Sequence, residues 1–156
     1  MRRLLGGIMK IVLGTDHRGF EQKEFIKKRL SGDAIEFIDV GCFSPQPTDY
    51  PILAREACMA IQKGYVQKGI LLCGSGVGMS IAANRFVGIY AALVWSEELA
   101  RLSVADDNAN VLVFPADFLS TERMITCIQA WLQTDFKGEH YERRLQLIDS
   151  WGGVKG

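Results

Sequence analysis

The sequence predicts an α/β fold, with five short strands in one parallel sheet and helices on both of its faces. Three observations carry this expectation. Short apolar runs recur along the chain, as strands buried on both sides require. Segments with helical spacing of apolar residues separate them. Glycine, proline and aspartate mark most of the junctions.

Residues 9–15, Met-Lys-Ile-Val-Leu-Gly-Thr, form the first expected strand. Asp16-His17-Arg18-Gly19 follows as a loop. Residues 20–30 read as a helix with Phe20, Phe25, Ile26 and Leu30 inward and its lysines outward, ended by Ser31-Gly32-Asp33. Residues 34–40 alternate as a second strand. A loop with Pro45 and Pro47 leads to Pro51, which suits the first turn of a helix. Leu53, Ala57, Ala60 and Ile61 repeat at helical spacing, and Gly64 closes that helix. Residues 69–73 are the third strand. It runs into Gly74-Ser75-Gly76-Val77-Gly78, and small apolar residues continue from there.

Residues 87–95 are apolar enough for a fourth strand. Ser96 is placed to cap a helix reaching about residue 104, with Glu97 and Glu98 set against its dipole. Asp106-Asp107-Asn108 is a polar loop before a fifth strand at 109–114. Ser120 caps the next helix, whose Met124, Ile128, Trp131 and Leu132 share a face. After Gly138 a last helix places Tyr141, Leu145 and Ile148 on one side. The expected architecture is a three-layer, Rossmann-like single domain over 9–150, with a short extension at 1–8 and a tail at 151–156. Strand order stays open.

Composition excludes several functional classes. The chain has 156 residues, and its 18 Lys and Arg balance its 18 Asp and Glu. That balance offers no electrostatic case for nucleic acid or an anionic membrane and favours self-association. The four cysteines, Cys42, Cys58, Cys73 and Cys127, form no CxxC pair, and there are two histidines. No structural metal and no cofactor are expected. Reduced thiols and a cytoplasmic location fit the absence of a disulfide pattern. Lys10 interrupts the apolar run behind Arg2-Arg3, so that run is not read as a signal peptide, and Met9 is an alternative start. No apolar stretch approaches the roughly 20 residues of a membrane span.

In open α/β sheets ligands bind beyond the C-terminal ends of the strands. Asp16 and His17 follow the first strand there, and Thr48, Asp49 and Tyr50 follow the second. Cys73 and the glycine loop follow the third. Glycines let a ligand approach the backbone, and free N–H groups at a helix start attract negative charge. A thiol so placed acts readily as base or nucleophile. Cys58 and Cys127 lie on helix faces and read as core. Asp106 and Asp107 precede the fifth strand, at the other end of the sheet, so a role for them calls for a site on a neighbouring subunit. Gly74, Gly76 and Gly78 do not give the GxGxxG pattern of dinucleotide-binding turns.

Four blocks together closely resemble the ribose-5-phosphate isomerase B family, whose relatives include the allose-6-phosphate and galactose-6-phosphate isomerases. They are Gly14-Thr15-Asp16-His17-Arg18-Gly19-Phe20, Asp49-Tyr50-Pro51, the run from Cys73 to Asn84, and Asn108-Ala109-Asn110-Val111-Leu112. The resemblance spans residues 9–148. It implies metal-independent interconversion of an aldose phosphate and a ketose phosphate, with ribose 5-phosphate and ribulose 5-phosphate as the expected pair. By resemblance, Cys73 is the base that moves a proton between C1 and C2. Ser75 and the N–H groups of Gly74, Ser75, Gly76, Val77 and Gly78 hold the enediolate oxygen. Asp16 holds sugar hydroxyls, His17 lies close to the substrate, and Tyr50 lines the pocket. The resemblance also implies a homodimer or homotetramer with sites shared between subunits.

Departures from the family pattern fall in the other half of the site. Asp106-Asp107 stands where His-Asn is common, and the family's ring-opening role belongs to that histidine. An aspartate, with a reference pKa of about 3.9 against 6.5 for histidine, needs burial to act as an acid near neutral pH. Asp117 falls where a phosphate-binding arginine is expected, and His140 where another is common. Arg144 matches the third, with Arg143 beside it. These changes keep two alternatives open: an isomerase of another sugar, of four or six carbons or never ring-closed, and a non-catalytic subunit of a hetero-oligomer.

Overall fold

The computed structural model describes residues 7–156, so the extension read at 1–8 lies, up to residue 6, outside the described residues. Strands β1 (Met9–Thr15), β2 (Ile35–Gly41), β3 (Lys68–Cys73), β4 (Ala91–Leu93) and β5 (Val111–Pro115) form one parallel sheet in the order β2-β1-β3-β5-β4. Helices α1 (Phe20–Leu30), α2 (Tyr50–Gln62), α3 (Val77–Ala83), α4 (Glu97–Ala105), α5 (Thr121–Leu132) and α6 (His140–Ser150) complete the chain.

The alternation of side chains along each strand builds two cores. Ile11, Leu13, Ile70, Leu72, Leu112 and Phe114 pack against Ile26 of α1, Val104 of α4 and Met124, Ile128 and Trp131 of α5. Val12, Leu71, Cys73, Val111 and Val113 face the other way, against Leu53 and Ala57 of α2 and Met79 and Ala83 of α3. Each fully buried aliphatic side chain contributes about 1.5–3 kcal/mol. Cys58 and Cys127 belong to these cores, and burial pushes their thiols up to about 12 and about 11. The Trp131 indole donates to the Ala109 carbonyl at 2.8 Å, tying α5 to the approach to β5.

The chain departs from its sequence reading in three places. The fourth strand shrinks from 87–95 to Ala91–Leu93. Its expected first half is a turn, with Gly88 at φ +76°. The Val87 N–H there donates to Val154 of the tail. Lys23 points inward and is fully buried, because Asp39 of β2 and the Cys42 carbonyl receive its ammonium group. On α6 only Leu145 is buried, while Ile148 is exposed. Among the described residues, no helix is long and apolar enough to cross a membrane.

Candidate active site

Register places the first group of candidate residues. Thr15 pairs with Leu72 and Cys73 with Pro115, so the ends of β1, β3 and β5 lie side by side. The Asp16 N–H donates to Leu72 O at 3.3 Å. On the other side, the Ala116 N–H donates to Cys73 O and the Asp117 N–H to Gly74 O, both at 2.9 Å. Cys73 therefore sits in the centre of the sheet edge, 5% exposed, with Asp16 in the next strand-end loop.

The loop after Cys73 turns through Gly76 at φ +75°, a conformation that favours glycine. The helix it feeds, α3, has only seven residues, so local N–H groups matter more here than a macrodipole. Ser75 Oγ accepts from the Val77 N–H at 3.2 Å. That bond orients the exposed hydroxyl and leaves its proton to donate outward.

Two more loops close on this edge. Asp16 is buried and caps the 3₁₀ turn His17–Gly19, its Oδ1 accepting from the Arg18 N–H at 3.0 Å. The Thr48 N–H donates to His17 Nδ1 at 3.2 Å, which puts the neutral ring's proton on Nε2. Tyr50 opens α2, and its ring fills the space beside Gly78, where an added Cβ would fall 2.5 Å from Cζ. The buried lysine anchors this side. Lys23 Nζ donates to both Asp39 oxygens at 2.7 Å and to Cys42 O at 2.6 Å. The Cys42 N–H donates to Thr15 O at 2.7 Å. Burial alone would push the Asp39 carboxyl up. The bonds from Lys23, Lys27 and the Gly41 N–H outweigh it and hold the group below its ordinary range.

Arg18 and Asp117, ninety-nine positions apart, form an ion pair across the loop. A Cβ on Gly74 would lie 2.8 Å from Arg18 Nε and 2.9 Å from Asp117 Oδ2, so the pair covers that glycine. The bond to Asp117 raises the guanidinium pKa still further. A cleft of about 640 Å³ opens beyond β4 and β5, lined by Ser75, Leu93, Trp95, Pro115, Phe118 and Arg123 among others. It shares Ser75 with the thiol loop.

The second group stands apart. Asp106 ends α4 and Asp107 follows, just before the N-terminal end of β5, whereas Cys73 lies at the C-terminal end of β3. Lys137 Nζ donates to Asp106 Oδ1 at 2.5 Å and lies 5.1 Å from the centre of the Tyr141 ring. His140 stacks on that ring with centroids 4.1 Å apart, and Arg144 lies 5.6 Å from its centre. The chain thus gathers Asp16, His17, Tyr50, Cys73, Gly74, Ser75, Gly76, Val77 and Gly78 at one end of the sheet. It gathers Asp106, Asp107, His140 and Arg144 at the other. Sequence reading missed Lys23, Asp39 and the Arg18–Asp117 pairing. Among the described residues, no three His, Cys, Asp or Glu side chains converge as metal ligands do.

The Ribose/Galactose Isomerase family model matches residues 11–148. The chain is 39% identical over 139 residues to ribose-5-phosphate isomerase B of Escherichia coli strain K12, a match covering 89% of this chain and 93% of that one. It is 41% identical over 141 residues to a 4-deoxy-4-sulfo-D-erythrose isomerase of Clostridium sp. strain MSTE9, covering 90% and 89%. A crystal structure of a ribose 5-phosphate isomerase from Thermotoga maritima superposes with a TM-score of 0.89 at 42% identity, covering 91% of this chain and 98% of that one.

Proposed function

The chain belongs to the Ribose/Galactose Isomerase family, and we propose that Cys73 is the base with which it interconverts ribose 5-phosphate and ribulose 5-phosphate. That the enzyme is an aldose–ketose isomerase follows from the family; the substrate and the base are our reading. One observation carries it: Cys73 lies at the sheet edge with Asp16 in the adjacent loop and a glycine turn directly after it. The thiolate removes the C2 proton of the open-chain aldose, and the electrons move onto O1. Ser75 and the N–H groups of the loop stabilise that developing charge. The thiol then returns the proton to C1, while the O2 proton passes to O1. Asp16 and the Nε2–H of His17 hold hydroxyls of the chain, and Tyr50 walls the pocket.

A second copy of the chain completes the site. It supplies Asp106, Asp107, His140 and Arg144, which lie at the far end of their own sheet. This reading makes the active form a homodimer or a larger homo-oligomer.

Three acidic residues favour a second substrate. Asp106, Asp107 and Asp117 are poor choices for opening a sugar ring and gripping a phosphate. A 4-deoxy-4-sulfo aldotetrose has no hydroxyl at C4, so it cannot close a five-membered ring and needs no ring-opening acid. The named activity of the Clostridium relative is on such a sugar. Incubating the purified protein separately with ribose 5-phosphate and 4-deoxy-4-sulfo-D-erythrose, with products followed by NMR, tests both readings. Ketose from the first substrate supports the leading reading, and ketose from the second alone supports the other. Absence of both with folded protein refutes Cys73 isomerisation of these sugars.

A further inference from the structure

We infer that the Arg18–Asp117 pair is a charge filter, through which the site takes a sugar with a singly charged acidic tail in preference to a doubly charged one. This rests on the proposal that the Cys73 loop binds an anionic sugar. The strand-end loops around Cys73 comprise residues 16–19, 42–49, 74–76, 94–96 and 116–119, and Arg18 is their only Lys or Arg. An anionic tail reaching this rim therefore meets Arg18 beside the thiol, while Arg123 of α5 lines the cleft that shares Ser75. Arg18 covers Gly74, one residue from the reacting thiol, and about half of its side chain is exposed. Its guanidinium has five N–H donors, of which Asp117 engages Nη2, so donors remain for a ligand.

Asp117 sets how much attraction that cation delivers. Attraction to the rim grows in proportion to ligand charge, whereas the cost of stripping water grows with its square. A carboxylate bonded to the cation that covers Gly74 lowers the attraction there and leaves the cost unchanged. A sulfonate, with a single charge, is then bound better than a phosphate monoester, which is mostly doubly charged above its second pKa of about 6. Arg18 supplies directed bonds, and Asp117 holds it in place and rejects the second charge.

Protection of Cys73 from iodoacetamide, whose iodide the thiolate displaces, tests this without any turnover. Inorganic phosphate at pH 8 is the doubly charged probe and methanesulfonate the singly charged one, with labelling read by mass spectrometry of the Cys73 peptide. In Asp117→Asn the phosphate concentration for half-protection falls about tenfold and that of methanesulfonate no more than about threefold. Arg18→Gln raises both by about tenfold, and Arg18→Lys, which keeps the charge, raises them by about threefold at most. Unchanged melting temperatures establish that the variants fold, as the exposure of both side chains leads one to expect. Equal shifts for the two anions in Asp117→Asn overturn the filter, and protection unaffected by Arg18→Gln overturns the contact. An isomerase inactive on every sugar offered, with these shifts intact, refutes the proposed reaction and leaves the filter standing.

Discussion

The Tyr50 ring occupies the place that a side chain at Gly78 would take, its Cζ 2.5 Å from where a Cβ would lie. This contact joins the start of α2 to the first turn of α3, and so joins the second strand-end loop to the thiol loop. It decides what Gly78→Ala does. A helical alanine gains about 1 kcal/mol over glycine. Crowding a packed neighbour costs about 1–3 kcal/mol. The crowding falls on Cζ, Oη and Cε1, the outer end of the half-buried Tyr50 side chain, so its cost lies at the low end, the two effects nearly cancel and the fold survives. The expected outcome is a melting temperature close to wild type with kcat/KM reduced at least about tenfold, or 1.4 kcal/mol. In a Tyr50→Ala background, Gly78→Ala costs nothing further, as a double-mutant cycle for a shared contact requires.

Lys23 makes the complementary prediction for stability. Its ammonium group is wholly buried on Asp39 and the Cys42 carbonyl. Lys23→Met leaves the mostly buried Asp39 carboxylate to Lys27 and the Gly41 N–H alone, so the cost falls below the about 3–5 kcal/mol of a buried charge left wholly unpaired. The pH dependence follows from the depressed Asp39 pKa. The folded state binds the Asp39 proton less readily than the unfolded chain. The stabilisation is therefore complete above the ordinary carboxylate pKa of about 4 and is lost as pH falls through the lower folded value. Urea midpoints measured from pH 7 down to pH 3 should fall for the wild type below about pH 4, and more shallowly for Lys23→Met.

What the sequence made legible were features encoded locally. The bounds of β1 and α1 agree with the reading, and Ser96 and Ser120 cap α4 and α5 by accepting from the N–H groups of Leu99 and Arg123. Gly64 ends α2 at φ +75°. The five-stranded α/β architecture was legible too, because strands buried on both faces leave an unbroken apolar trace. What stayed hidden depends on residues far apart in the chain. Lys23 looked like one more surface lysine because Asp39, sixteen residues away, receives it only once β2 lies beside β1. Arg18 and Asp117 read as separate loop residues until β1, β3 and β5 aligned their ends. The fourth strand was overread because an apolar stretch does not reveal that a tail residue, Val154, takes the Val87 N–H. The division of the candidate site followed from placing Asp106 before β5 and Cys73 after β3.

The central claim is that the Cys73 sulfur carries the proton between C1 and C2. Its most direct test is isomerisation in heavy water, with deuterium at C2 of the aldose read by NMR for the wild type and for Cys73→Ala. The wild type is expected to incorporate deuterium at C2 as it turns over. Cys73→Ala, folded by its circular dichroism, is expected to lose at least about a thousandfold in exchange rate, the scale of removing a positioned base. Exchange in Cys73→Ala within about tenfold of the wild type, on the same scale, would contradict the claim and place the base on another residue.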